Sequence, residues 1–150
     1  MISIRYLFEQ EESKKGNRKE MKIGIIGYSG QKFDEEQGKK LIELGLSNLG
    51  IQDYDVIVSG LTNLGIPKLA YEIATEREMK TVGIACNLAK DYDLFPVDEK
   101  ILVGDKWGDE SETFLNYIEA LIKVGGGKQS EEEYNRFKGP KFEFDLPATK

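Results

Sequence analysis

The residues best equipped for chemistry lie in one run, Gly125-Gly126-Gly127-Lys128-Gln129-Ser130, followed by Glu131-Glu132-Glu133. Consecutive glycines tolerate positive φ and let backbone N–H groups approach a ligand closely. A helix starting beside them adds unpaired N–H donors and a partial positive charge. Together these features make an anion site, most often for phosphate. Lys128 could contact phosphate as a point charge, or simply be solvated. Ser130 suits a helix cap, and Glu133 three residues later completes a capping-box pattern. Acids favour a helix N-terminus in any case, and Glu133, one turn past the loop, is the glutamate best placed to face a site.

A second acidic group, Asp109, Glu110 and Glu112, surrounds Ser111 and reads either as a site or as an ordinary helix start. Two more glycine-bounded turns follow apolar runs: Gly27-Tyr28-Ser29-Gly30, and Ser59-Gly60-Leu61-Thr62-Asn63-Leu64-Gly65. The first, in the context Gly24-Ile25-Ile26-Gly27, is not a GxGxxG pattern. Each could contact a ligand or serve only as a strand-to-helix turn. Trp107 and Tyr28 could stack on a base or pack in the core. The chain has no histidine, which excludes a Ser–His–Asp triad, a Cys–His pair and histidine-bound zinc. Acid–base chemistry would fall to carboxylates, lysine, tyrosine or substrate groups.

The elements that must position these residues alternate along the chain. Lys22 to Gly27 reads as a first strand, and Asp34 caps a helix running to about Asn48 and ended by Gly50. Val56 to Val58 is a second strand, and Pro67 suits the first turn of the next helix. Thr81 to Cys86 and Lys100 to Val103 are further strands. Asp109 or Ser111 caps a helix through Tyr117. Glu119 to Val124 is a fifth strand, Glu131 to Lys138 a helix, and Lys141 to Leu146 a short last strand. Strands alternating with helices imply right-handed crossovers and a parallel sheet. Ligands of such sheets bind beyond the carboxyl ends of the strands, where all three glycine turns fall.

The 150 residues suit one domain. With 39% hydrophobic and 32% charged residues, the composition is that of a globular chain. A net charge of −6 argues against general nucleic-acid binding. No apolar run approaches the roughly 18 residues of a membrane span. The single cysteine, Cys86, excludes an intrachain disulfide and a multi-cysteine metal site. Together with the lack of a secretory pattern at the start, these features point to the cytoplasm. Residues 1–20 read as an N-terminal extension: a frayed segment, a short extra strand at Ile2 to Phe8, or residues preceding a natural start at Met21. Residues 21–150 form the domain.

From Lys22 to Leu146 the chain resembles the SLOG superfamily, which includes the LOG proteins and proteins named as molybdenum-cofactor carriers. LOG enzymes carry PGGxGTxxE after a strand of the form DAFIAL. Here Glu119-Ala120-Leu121-Ile122-Lys123-Val124 stands at that strand. Gly125 replaces the proline, Gly126 and Gly127 match the glycine pair, Gln129 replaces the next glycine, Ser130 stands for threonine and Glu133 matches the glutamate. Gly27 to Gly30 resembles the family's GxSG turn, and Ser59 to Gly65 its GGGxGLM loop. The resemblance implies an α/β Rossmann-like fold, an open, mostly parallel sheet with helices on both faces. It also implies a site for nucleotides.

LOG enzymes cleave the N-glycosidic bond of nucleoside 5′-monophosphates, using the family's glutamate and an arginine. The arginine's place falls near Glu110 here, and no arginine stands between Arg77 and Arg136. A glutamate there reverses the charge that would help hold the phosphosugar. The leading expectation is therefore binding of a nucleotide or ribose phosphate, AMP being an example, with no cofactor required. A phosphoribohydrolase with Glu133 and Glu110 as candidate catalytic residues, and Ser130 or Lys128 holding the phosphosugar, is the alternative, and a non-enzymatic partner module a third. The family also implies a homodimer or larger assembly.

Overall fold

The computed structural model describes residues 18–149. The readings made for residues 1–17, including the strand at Ile2 to Phe8, lie outside them. Six strands form one sheet: β1 (Lys22–Gly27), β2 (Val56–Ser59), β3 (Lys80–Ala85), β4 (Glu99–Leu102), β5 (Ala120–Val124) and β6 (Lys141–Phe144). Their order is β4-β3-β2-β1-β5-β6, and every adjacent pair is parallel. The helices are α1 (Glu35–Leu49), α2 (Gly65–Glu76), α3 (Ser111–Tyr117) and α4 (Lys128–Arg136), with a 3-10 turn at Asn87–Asp91. The expected Rossmann-like architecture is thus present.

Strand alternation sends side chains to two cores. Ile23, Ile25 and Ile57 pack against Ile42 and Leu46 of α1 and Ile66 and Ile73 of α2. On the other face Ile26, Val56, Val58, Val82 and Leu121 meet Phe114 of α3, with Ile118 and Phe137 just past the ends of α3 and α4. Burying each such side chain is worth roughly 1.5–3 kcal/mol. Helices therefore cover both faces, as expected.

Helix ends follow local chemistry where a side chain can serve the backbone. Asp34 Oδ1 accepts the Gln37 N–H at 3.1 Å, capping α1, and Gly50 ends it at φ 66°. Pro67 sits in the first turn of α2. Two expectations need correction. Helix α4 begins at Lys128, three residues before Glu131, with Gly127 at the cap and no side-chain cap bond. Ser130 lies inside the first turn, so the Ser130–Glu133 capping box does not form. Asp109 does not cap α3 either; its carboxylate accepts the N–H groups of Asp105 and Lys106, each at 3.0 Å.

Arg18, inside the segment read as an extension, contacts the packed domain. Its guanidinium donates to both oxygens of Asp55 at 3.0 and 2.9 Å. Asp55 is fully buried and also accepts from the Met21 and Gln52 backbone N–H groups at 2.8 and 2.7 Å.

Candidate functional site

The chain leaves β1 through β2, β3 and β4 on one side, then returns to the other side of β1 as β5 and β6. The strand order reverses between β1 and β5, and a crevice opens at the carboxyl ends of such strands. All three glycine turns meet there around a cleft of about 370 Å³, within the range of roughly 300–1,000 Å³ typical of ligand pockets. Its walls are Gly27 to Gln31 after β1, Ser59 to Thr62 after β2, and Gly127 to Ser130 with Glu133 on α4. Trp107, Glu110 and Phe114 close another side, and Ile26, Ile84, Ala85 and Pro67 contribute apolar surface.

The glycines divide into two groups. Gly125 and Gly126 have φ of 60° and 104°, a region that side chains other than glycine's rarely adopt. A Cβ on Gly125 would lie 2.5 Å from Tyr28 Cε2, and one on Gly126 would lie 2.8 Å from Ser130 Cβ. Neither residue lines the cleft; they bend the chain from β5 into α4. Gly65, at φ 60°, is likewise outside the cleft. A Cβ there would collide with the Tyr28 carbonyl, whose oxygen accepts the Ile66 N–H at 2.7 Å and so ties the first two loops together. Gly30 and Gly127 differ. Both line the cleft, and a Cβ on either would meet nothing within 4 Å.

Gly127 O accepts the Glu131 N–H at 3.1 Å. The N–H groups of Lys128, Gln129 and Ser130 precede that first bond of α4 and have no partner within the helix. The Ser130 hydroxyl donates to Gly27 O at 3.4 Å, joining α4 to β1. Lys128 is the only cationic side chain among the described residues that line the cleft.

Several expected contacts have other occupations. The Ser59 hydroxyl donates to Ile25 O at 2.6 Å inside the sheet, and its N–H donates to Tyr71 Oη at 3.0 Å. Both donors of Ser59 are therefore engaged within the fold, and Gly60 beside it lines the cleft. Tyr71, fully buried on α2, has its hydroxyl 2.7 Å from Gly60 O and 3.0 Å from Val82 O. Burial pushes its phenol far up, so it remains a donor. Sequence reading missed this tyrosine, which anchors the second loop; its one visible signal was a tyrosine on the apolar side of a helix. Asn63 is not brought to the cleft. Its backbone N–H donates to Asp93 O at 2.9 Å and its side-chain amide to Asp93 Oδ2 at 3.1 Å. Tyr28 lines the cleft and stacks on Phe33 with centroids 5.7 Å apart.

Two carboxylates are buried at the cleft. Glu133 is 6% exposed and Glu110 7%. Glu133 Oε2 accepts from Ser111 Oγ at 2.6 Å and from Gln129 Nε2 at 3.3 Å. The same Gln129 nitrogen lies 3.3 Å from Glu110 Oε2, while Glu110 Oε1 accepts the Gly108 N–H at 2.8 Å. Gln129 therefore bridges the two acids. Burial raises the Glu133 carboxyl above its usual range; the Ser111 and Gln129 bonds oppose the shift, and the Glu110 charge adds to it. Among the described residues, no group of three or more cysteines and acids is gathered as a metal ion would need.

No protein-family model and no curated sequence matches the chain. Solved structures do. The molybdenum cofactor binding protein from the phototrophic bacterium Rippkaea orientalis superposes with a TM-score of 0.65 at 21% identity, over 85% of this chain and 78% of that one. The molybdenum cofactor carrier protein of Chlamydomonas reinhardtii gives 0.62 at 22% identity, over 83% and 76%. The structural-genomics protein TM1055 gives 0.60 at 21% identity, over 77% and 66%. At such identities the likeness is one of fold. Sheet order and these neighbours agree: the chain has the Rossmann-like fold that these three structures share.

Proposed function

We propose that the cleft binds a small phosphate-bearing ligand, a nucleotide or ribose phosphate. The observation that carries this reading is the open wall formed by Gly127 and Lys128 to Ser130. It offers backbone donors, a lysine charge and, at Gly127, a backbone with no atom within 4 Å of where a Cβ would lie. Phosphate belongs on this wall, on the N–H groups of Lys128, Gln129 and Ser130. Near Glu110 and Glu133 it would meet like charge, so the acids suit the sugar hydroxyls or other donors of the ligand. Two neighbours of the same fold are named for binding a small-molecule cofactor, which supports a ligand site on this fold.

The structure selects the variant that tests the reading. Replacing Gly126 would strain the loop, whereas Gly127 has φ −102° and an unobstructed Cβ direction. Gly127→Val should keep the urea midpoint of the wild type. It should weaken AMP and ribose 5-phosphate roughly tenfold or more in calorimetry, the loss of about one charge-assisted hydrogen bond. Wild-type affinity in that variant would contradict the assignment.

A phosphoribohydrolase is the second reading, favoured by the raised carboxyl of Glu133. A carboxyl poised above its usual range can act as a general acid or base at a glycosidic bond, and a second carboxylate stands beside it. In that case Glu133→Gln would remove release of adenine from AMP and leave AMP binding in place.

A further inference from the structure

The phosphate wall accounts for only part of the cleft. Its lining also includes the apolar side chains of Ile84, Ala85 and Phe114, and Trp107. Trp107 is the chain's only tryptophan and is 47% exposed. With Tyr92, also about half exposed, it forms an exposed aromatic pair whose indole lines the cleft, and a contiguous exposed aromatic surface on a concavity is more informative than a single exposed side chain.

The loop that carries Trp107 is fixed on both sides. Asp109 accepts the N–H groups of Asp105 and Lys106, each at 3.0 Å, and Glu110 accepts that of Gly108 at 2.8 Å. Gly104 O accepts the backbone and side-chain N–H groups of Asn87 at 2.9 and 2.8 Å. Tyr92 packs edge-on against the indole, with centroids 5.7 Å apart and planes at 67°. An aromatic surface held this way loses little freedom when a flat ring settles on it.

We propose that Trp107 is the stacking platform for an aromatic heterocycle carried by the phosphate-bearing ligand. The site would then select heterocyclic phosphates over bare sugar phosphates. This rests on the phosphate reading above and adds a ligand class to it. The acids fit the same picture: Glu110 and Glu133 repel a second anionic group and can accept N–H or O–H donors from a neutral ring or its sugar.

The test uses Trp107 as its own reporter. AMP and ribose 5-phosphate are titrated into the full chain while indole fluorescence is followed, and calorimetry is run on Trp107→Ala and Trp107→Phe. AMP should quench the emission, whereas ribose 5-phosphate should bind without quenching. Trp107→Ala should weaken AMP about tenfold, in line with the worth of a base–aromatic stack. The same variant should leave ribose 5-phosphate unchanged, and Trp107→Phe should retain most of the AMP affinity. Equal affinity of AMP and ribose 5-phosphate with no quenching would overturn the stacking role while sparing the phosphate reading. Equal weakening of both ligands by Trp107→Ala would reduce Trp107 to a loop-positioning residue and also overturn it. Binding of neither ligand to the wild type would remove the phosphate reading, and this inference with it.

Discussion

Glu133 is a carboxyl kept out of water at the edge of a cleft, with one short bond from Ser111 and one longer bond from Gln129 as partial compensation. Its folded pKa lies above the usual glutamate value of 4.5. Above that value the folded chain therefore holds more of this proton than the unfolded chain does. The stability it contributes is complete below the unfolded pKa and is lost as pH rises through the folded one. Glu133→Gln removes that titration. The variant should lose less stability than the wild type between mildly acidic and neutral pH. At pH 7 it should be at least as stable as the wild type, because burial of an uncharged amide carries none of the desolvation cost of the carboxylate. Urea unfolding across pH checks this, and an unchanged pH slope would contradict it. The position of Glu133 was legible from its spacing after the glycines. Its partners were not: Ser111 reaches it from α3, 22 residues away in sequence. Asn63 shows the converse error. An asparagine in a glycine-rich loop looks like a ligand contact, yet its hydrogen bonds staple the loop to Asp93.

Helix α4 and the loop after β2 show how elements carry the site. Ser130 looked like the better cap because serine is a preferred capping residue. The helix instead starts from Gly127, and Ser130 turns inward toward Gly27 O. As a consequence, the first-turn donors free of helical bonds are those of Lys128, Gln129 and Ser130, on the cleft wall. The loop after β2 depends on α2 through Tyr71. Tyr71→Phe leaves the Ser59 N–H without its acceptor and removes the donor beside Gly60 O and Val82 O. The variant should lose about 1–3 kcal/mol in urea unfolding, the penalty for orphaned buried polar groups. It should also bind AMP more weakly, because Gly60 lines the cleft. Full retention of stability would show that the hydroxyl does not anchor the loop. α1, by contrast, was readable almost end to end, because Asp34 and Gly50 act on their own neighbours.

At the scale of the molecule, the alternation of apolar runs with helical segments was enough to anticipate a parallel sheet with helices on both faces. The strand order was not available from those runs, because a buried strand such as Val56–Ser59 is apolar whichever strand lies beside it. The order β4-β3-β2-β1-β5-β6 is what builds the candidate site, since it puts the turns after β1, β2 and β5 around one cleft. Residue types located the turns; long-range pairing decided which members face the cleft. A second hollow, bounded by Thr75, Glu78, Lys80 and Asp98, lies away from these turns and serves as an internal control. The most direct measurement is a titration of the uniformly ¹⁵N-labelled chain with ribose 5-phosphate, followed in amide ¹H–¹⁵N spectra. The largest shifts should fall on Gly127, Lys128, Gln129 and Ser130, with smaller ones at Gly30 and Gly60. An unchanged spectrum, or shifts confined to Thr75, Glu78 and Lys80, would contradict a phosphate site at the cleft.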